Sequence, residues 1–188
     1  MYQERRPDEG KPAVRWLPFQ LNPDLPDEGI PRQEYLERKF GPGHSHSYAR
    51  VAGVGREVGI DFAFDRITVQ PNTLNAHRLM IYGAKQGRED AIAESLFHAY
   101  FLEGANLSDT AALASIGARA GLDRAALAAH LASDDGREEV LRADLEARQA
   151  GINGVPFFMF NRRTTVSGAQ PPESLLQAML EARTREGG

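Results

Sequence analysis

The chain has 188 residues, 41% hydrophobic and 26% charged, with a formal net charge of −4 and its basic residues scattered. That suits one compact domain, or one domain with a sizeable insertion, and leaves no basic footprint for nucleic acid. There is no cysteine, which excludes disulfides, thiolate metal sites and cysteine nucleophiles within these residues and fits a reducing compartment.

The first dozen residues are polar, and no apolar stretch follows their charges as a signal peptide requires. No run reaches the ~20 apolar residues of a membrane helix, so the expectation is a cytoplasmic protein with no membrane partner. Residues 14–21 read as a strand. Val14, Trp16, Leu17, Phe19 and Leu21 put apolar groups on both faces, so the strand should be covered on both sides. Pro18 has no N–H for a ladder and marks an edge, a bulge or the strand end. Residues 22–31, rich in proline and acidic groups, form a loop.

A long helical stretch follows. Residues 33–40 make a first helix, stopped by Gly41-Pro42-Gly43, and residues 44–58 a second, ended by Gly59. Residues 60–69 are apolar and aromatic and read as extended. Residues 75–86 and 88–102 are helical; the latter carries the widest apolar stripe, with Ile92, Leu96, Phe97, Tyr100 and Phe101. Ser108 or Asp109 caps the next helix, which ends at Gly121. Asp123 caps another, to about Ser133. Asp135 caps a long helix to Ala150, with Glu138 and Glu139 in its first turn, where they suit the helix dipole.

The pattern then changes. Residues 155–160 form a short, nearly all-apolar strand, Arg162-Arg163 a turn, and residues 164–167 a second strand. Pro171 and Pro172 open a final helix through Arg183, a position where the missing N–H costs nothing. Trp16, Phe157, Phe158 and Phe160 are expected in the core.

Three segments carry a family likeness: Val14-Arg15-Trp16-Leu17-Pro18-Phe19-Gln20-Leu21-Asn22-Pro23, Gly154-Val155-Pro156-Phe157-Phe158-Met159-Phe160 and Ser167-Gly168-Ala169-Gln170-Pro171-Pro172-Glu173. Tyr35 to Gly41 and Asn72-Thr73-Leu74-Asn75-Ala76-His77-Arg78 agree with it in order and spacing. Together they resemble the DsbA-like thioredoxin proteins, most closely the FrnE-like branch. The resemblance implies an α/β fold of thioredoxin type with a large all-helical insertion. Residues 1–22 and 135–188 would form the thioredoxin-like portion and residues 23–134 the insertion. It also implies a cis Val155–Pro156 bond, with Val155 offering its backbone N–H and C=O to an extended substrate.

The family's chemistry sits on a first strand and a helix whose N-terminus carries Cys-x-x-Cys, where the helix end lowers the thiol pKa. No such segment occurs here. The fold is therefore expected to be incomplete, with residues 2–13 resembling the tail of the absent helix and no catalytic residue present. Open strand edges then invite pairing with another chain, a homo-oligomer included.

Site candidates by the resemblance are Gly154, Val155 and Pro156, which would bind a protein or peptide substrate. Asn72, Thr73 and His77 join them as polar groups for substrate, against a plainer reading of helix capping. His44 and His46 have no further ligand near them and read as an exposed helix start, so no metal is expected. There is no Gly-x-Ser-x-Gly elbow and no phosphate-cradling loop.

Three functions compete. One is a thiol–disulfide oxidoreductase, redox-inactive as it stands for want of cysteine. One is a non-catalytic module that binds peptide or protein. One is a glutathione-dependent 2-hydroxychromene-2-carboxylate isomerase; Ser167-Gly168-Ala169-Gln170 departs from that branch's pattern. No cofactor is expected apart from glutathione under this last reading.

Overall fold

The computed structural model describes residues 1–5, 10, 12–41 and 48–184. In chain order these form α1 (Tyr2–Arg5), β1 (Ile30–Pro31), α2 (Arg32–Phe40), α3 (Ala49–Glu57), a 3₁₀ turn (Phe64–Arg66) and β2 (Val69–Gln70). There follow α4 (Leu74–Ala84), α5 (Glu89–His98), a π-helical turn (Ala99–Glu103), α6 (Thr110–Arg119) and α7 (Arg124–Ala132). The last elements are α8 (Arg137–Gln149), β3 (Phe157–Phe160), β4 (Thr164–Ser167) and α9 (Pro172–Thr184). His44 and His46 lie outside the described residues. No helix among the described residues is long and apolar enough to cross a membrane.

The chain divides into two compact units, Met1–Leu21 with Ala143–Gly188, and Asn22–Arg142, so the second boundary falls inside α8. The unit of residues 22–142 has its core between α4, α5, α6 and α7: Leu79, Ile92, Leu113 and Leu127 are fully buried. Close approach of these helices needs glycine at two places. A Cβ on Gly83 would lie 1.7 Å from Ile92 Cδ1, and one on Gly117 would lie 2.3 Å from Leu127 Cδ2. Asp109 and Asp123 cap α6 and α7, accepting from the Ala111 and Ala126 N–H groups at 2.8 and 2.7 Å. These side chains satisfy donors that a helix start leaves unpaired.

Three expectations for this unit are corrected. Residues 60–69 are not one extended run. Phe62 stacks on Phe64 with ring centroids 4.9 Å apart, and Phe101 meets both rings edge-on. This packing folds the chain through the 3₁₀ turn before β2 pairs antiparallel with β1, Ile30 opposite Gln70. The unit is therefore not all-helical. The stripe of residues 88–102 does not make one α-helix, since it relaxes into the π turn after His98. Gly104 ends that turn at φ +76, where a Cβ would meet the Arg66 carbonyl oxygen at 2.5 Å. Finally, α8 starts at Arg137 rather than directly after Asp135, because Gly136 takes a left-handed φ of +79 and its C=O accepts from Val140 N–H at 3.1 Å.

In the unit of residues 1–21 and 143–188, β3 and β4 form an antiparallel hairpin with Phe157 opposite Ser167 and Phe160 opposite Thr164. The turn between them holds Asn161 and Arg162 at φ 49 and 57. The helix α9 packs on β4 and β3, and its Leu176, Ala178 and Ala182 are buried. Two further corrections belong here. Residues 14–21 are extended but form no strand, because no ladder partner lies beside them among the described residues. Trp16 is not core: it is 41% exposed, and Leu17 is 72% exposed. Phe157, Phe158 and Phe160 are half-buried.

Candidate functional site

The Gly154-Val155-Pro156 turn leads straight into β3. Its Val155–Pro156 peptide bond is cis. Pro156 O accepts from Gly168 N–H at 2.9 Å, and Gly168 reaches that position at φ +79. Backbone bonding alternates along an antiparallel pair. With Pro156 bonded to Gly168 and the register running Phe157–Ser167, Phe158–Val166, Met159–Thr165, Phe160–Thr164, Phe158 and Phe160 direct their backbone groups at β4. Phe157 and Met159 therefore direct theirs to the opposite edge, where no strand lies among the described residues. Neither backbone group of Val155 forms a hydrogen bond within the described residues. The Val155 side chain is 53% exposed, and a side chain added at Gly154 would meet nothing within 4 Å. The three residues thus present backbone in an open position.

The extended residues 14–21 of the same unit are held by α8. Gln20 N–H donates to Asp144 Oδ1 at 2.7 Å, and Arg148 donates to Gln20 O. Arg148 Nε also donates to Asp144 Oδ2 at 2.8 Å, and the guanidinium lies 4.6 Å from the Phe19 ring centroid. One helix turn, acceptor at i and donor at i+4, therefore supplies Gln20 with both bonds that a neighbouring strand normally gives. Asp144 is buried and paired, as a buried charge must be. Sequence reading missed Asp144 and Arg148: an acid and a base four apart are common on any exposed helix, and only the fold shows what they face.

In the other unit, Asn72, Thr73 and His77 come together at the start of α4. The Asn72 side chain donates to Leu25 O at 2.7 Å and accepts from Leu74 N–H at 2.9 Å, and its N–H donates to Ser108 Oγ at 3.1 Å. Asn72 is buried and ties two loops to the helix start. Thr73 is the N-cap residue but makes no side-chain cap bond, since Asn72 supplies it. His77 follows one turn on, its N–H donating to Thr73 O at 3.0 Å.

One residue further on, Arg78 is 3% exposed and uses all five of its N–H donors. They reach the carbonyls of His130, Leu131, Ser133 and Asp135 and the Asn75 side chain, at 2.6–3.2 Å. It thereby caps the C-terminus of α7, placing a fixed cation where helix carbonyls are unpaired. The Asn72–Arg78 run is to this extent architectural.

The profile of the DSBA-like thioredoxin domain family matches residues 2–180. Among solved structures, the chain is similar to a probable DsbA oxidoreductase from Streptomyces coelicolor, with 29% sequence identity and a TM-score of 0.79. That match covers 87% of this chain and 72% of the other. No curated protein matches.

Proposed function

The chain belongs to the DSBA-like thioredoxin domain family, and from that premise we propose that Gly154, Val155 and Pro156 hold an extended polypeptide substrate for thiol–disulfide exchange. The observation that carries this reading is Val155, exposed and with neither backbone group bonded within the described residues. An N–H and a C=O in that state pair with any extended chain, largely regardless of its side chains. The reading follows the FrnE-like branch, supported by the residues at 35–41 and 72–78. Asn72 enters it as a support of the α4 start, since it spends its side chain on the protein itself.

Exchange also needs a thiolate, and the 188 residues contain no cysteine. The nucleophile must come from outside them. That absence favours a second reading, a peptide-binding module without redox chemistry of its own. Both readings predict the same binding event. Titration of a carboxymethylated, cysteine-free unfolded polypeptide into ¹⁵N-labelled chain is expected to shift the Val155 amide resonance first. No change at Val155 at millimolar polypeptide would sink both.

A further inference from the structure

A backbone nitrogen attacks the side-chain amide of a preceding asparagine when nothing hinders or holds the pair. Glycine is the best attacking residue, because it has no Cβ and turns freely. The chain has asparagine at 22, 72, 75, 106, 153 and 161. Asn22 precedes Pro23, which has no N–H to give up. Asn72 is buried and spends its side chain on Leu25 and Leu74. Asn75 lies in α4 and accepts from Arg78, and Asn106 accepts from Ser108 N–H at 2.9 Å. Asn161 precedes Arg162, whose Cβ hinders the approach. Only Asn153 precedes a glycine. It is exposed and lies outside helix and strand. The chain is anchored before it, where Ile152 N–H donates to Ala147 O at 3.0 Å, and after it, where Pro156 O accepts from Gly168 N–H. Between these anchors neither Asn153 nor Gly154 forms a hydrogen bond within the described residues.

We propose that Asn153–Gly154 is a site of spontaneous covalent modification, where asparagine becomes isoaspartate and aspartate. The Gly154 nitrogen attacks Asn153 Cγ and gives up its proton. The Cγ–Nδ2 bond breaks, and ammonia leaves with that proton. The product is a five-membered succinimide, and water then adds to one of its two carbonyls. Breaking the bond from nitrogen to Cγ gives aspartate. Breaking the bond from nitrogen to the main-chain carbonyl carbon gives isoaspartate. In sum, asparagine and water become an acid and ammonia, with no change of oxidation state. Either product puts a carboxylate beside Gly154, at the head of a run to Phe160 that has no charged side chain. Isoaspartate also adds one methylene to the main chain, two residues before Val155. The conversion needs no ligand at the turn.

The test incubates the full 188-residue chain at mildly alkaline pH, folded and in guanidinium chloride, and maps it by mass after trypsin. One tryptic peptide, residues 149–162, holds both Asn153 and Asn161, so every chain carries its own control. The mass gain of an amide turned acid is expected at Asn153 about tenfold faster than at Asn161 or more, with isoaspartate among the products. A pair held by the fold would react only through local opening. Folded and unfolded chains should therefore react at Asn153 within about threefold of each other. Gly154→Ala should slow the gain by about tenfold, and its Cβ would meet nothing within 4 Å. Asn153→Gln should abolish the gain at this position, since its longer side chain would have to close a six-membered ring. A folded chain slower than the unfolded one by more than that margin would show that the structure protects Asn153, and would overturn the proposal. Equal rates at Asn153 and Asn161, or an unslowed Gly154→Ala variant, would overturn it too. The comparison within one peptide of the unaltered chain keeps the test decisive if a variant does not fold.

Discussion

At the scale of single residues, polar side chains at the bends of the 22–142 unit explain as much as its apolar ones. Arg78 gathers the end of α7 and the start of α8 through four carbonyls. His130 sits beside it with its ring 4.7 Å from that of Tyr82 and a buried Nε2 that has no hydrogen-bond partner among the described residues. Burial first, and then the Arg78 cation, lower the His130 pKa from its ordinary 6.5; Asp135 opposes the shift and Lys85 adds to it. The folded state therefore binds fewer protons than the unfolded chain. This makes stability complete above pH 6.5 and progressively lost as the pH falls below it. Urea unfolding at pH 7.5 and pH 5.5 should show that loss, and His130→Phe should shrink it. An unchanged difference between the two pH values in the variant would remove His130 as its source.

At the scale of elements, the fit between helices decides the core. Alanine is intrinsically better in a helix than glycine by about 1 kcal/mol. At Gly83 the new Cβ would overlap Ile92 Cδ1 at 1.7 Å, and overpacking of a dense core costs about 1–3 kcal/mol. The second effect wins, so Gly83→Ala is expected to lower the Tm, and adding Ile92→Val should restore part of it. A raised Tm for the single variant would show that α4 and α5 part at little cost.

Elements also show where sequence reading works. The α6 and α7 starts were legible because Asp109 and Asp123 act locally, within three residues. The β3–β4 hairpin was legible from a short apolar run, a turn and a second run. The extended residues 14–21 were not: their pattern suits a strand, but a strand needs a neighbour, and pattern alone does not say whether one is there. The π turn after His98 was hidden for a related reason. It ends at Gly104, whose backbone lies close to that of Arg66, far away in the chain. At the site, Val155 was legible only through family likeness, and the part played by Asn72 only through its hydrogen bonds.

At the scale of the whole molecule, family membership and composition pull apart. The family profile runs from residue 2 to residue 180, so both compact units belong to the family's domain, while cysteine is absent throughout. The purified chain is expected to leave the oxidation of reduced ribonuclease at the rate of buffer alone, with or without glutathione. Acceleration would reveal a chemistry that needs no thiol of the chain's own.

The edge of β3 that faces away from β4 is unpaired among the described residues, which has a cost for handling the protein. Four aromatic and sulfur-bearing residues without charge resemble the core of a fibril-forming segment, although such segments usually run six or seven residues. Here the run is fenced. Arg162 and Arg163 follow it directly, at a turn held by two left-handed residues, and Pro156 precedes it. These flanks act as gatekeepers against stacking of like strands. The flanks thus keep the apolar run shorter than a fibril-forming segment usually is.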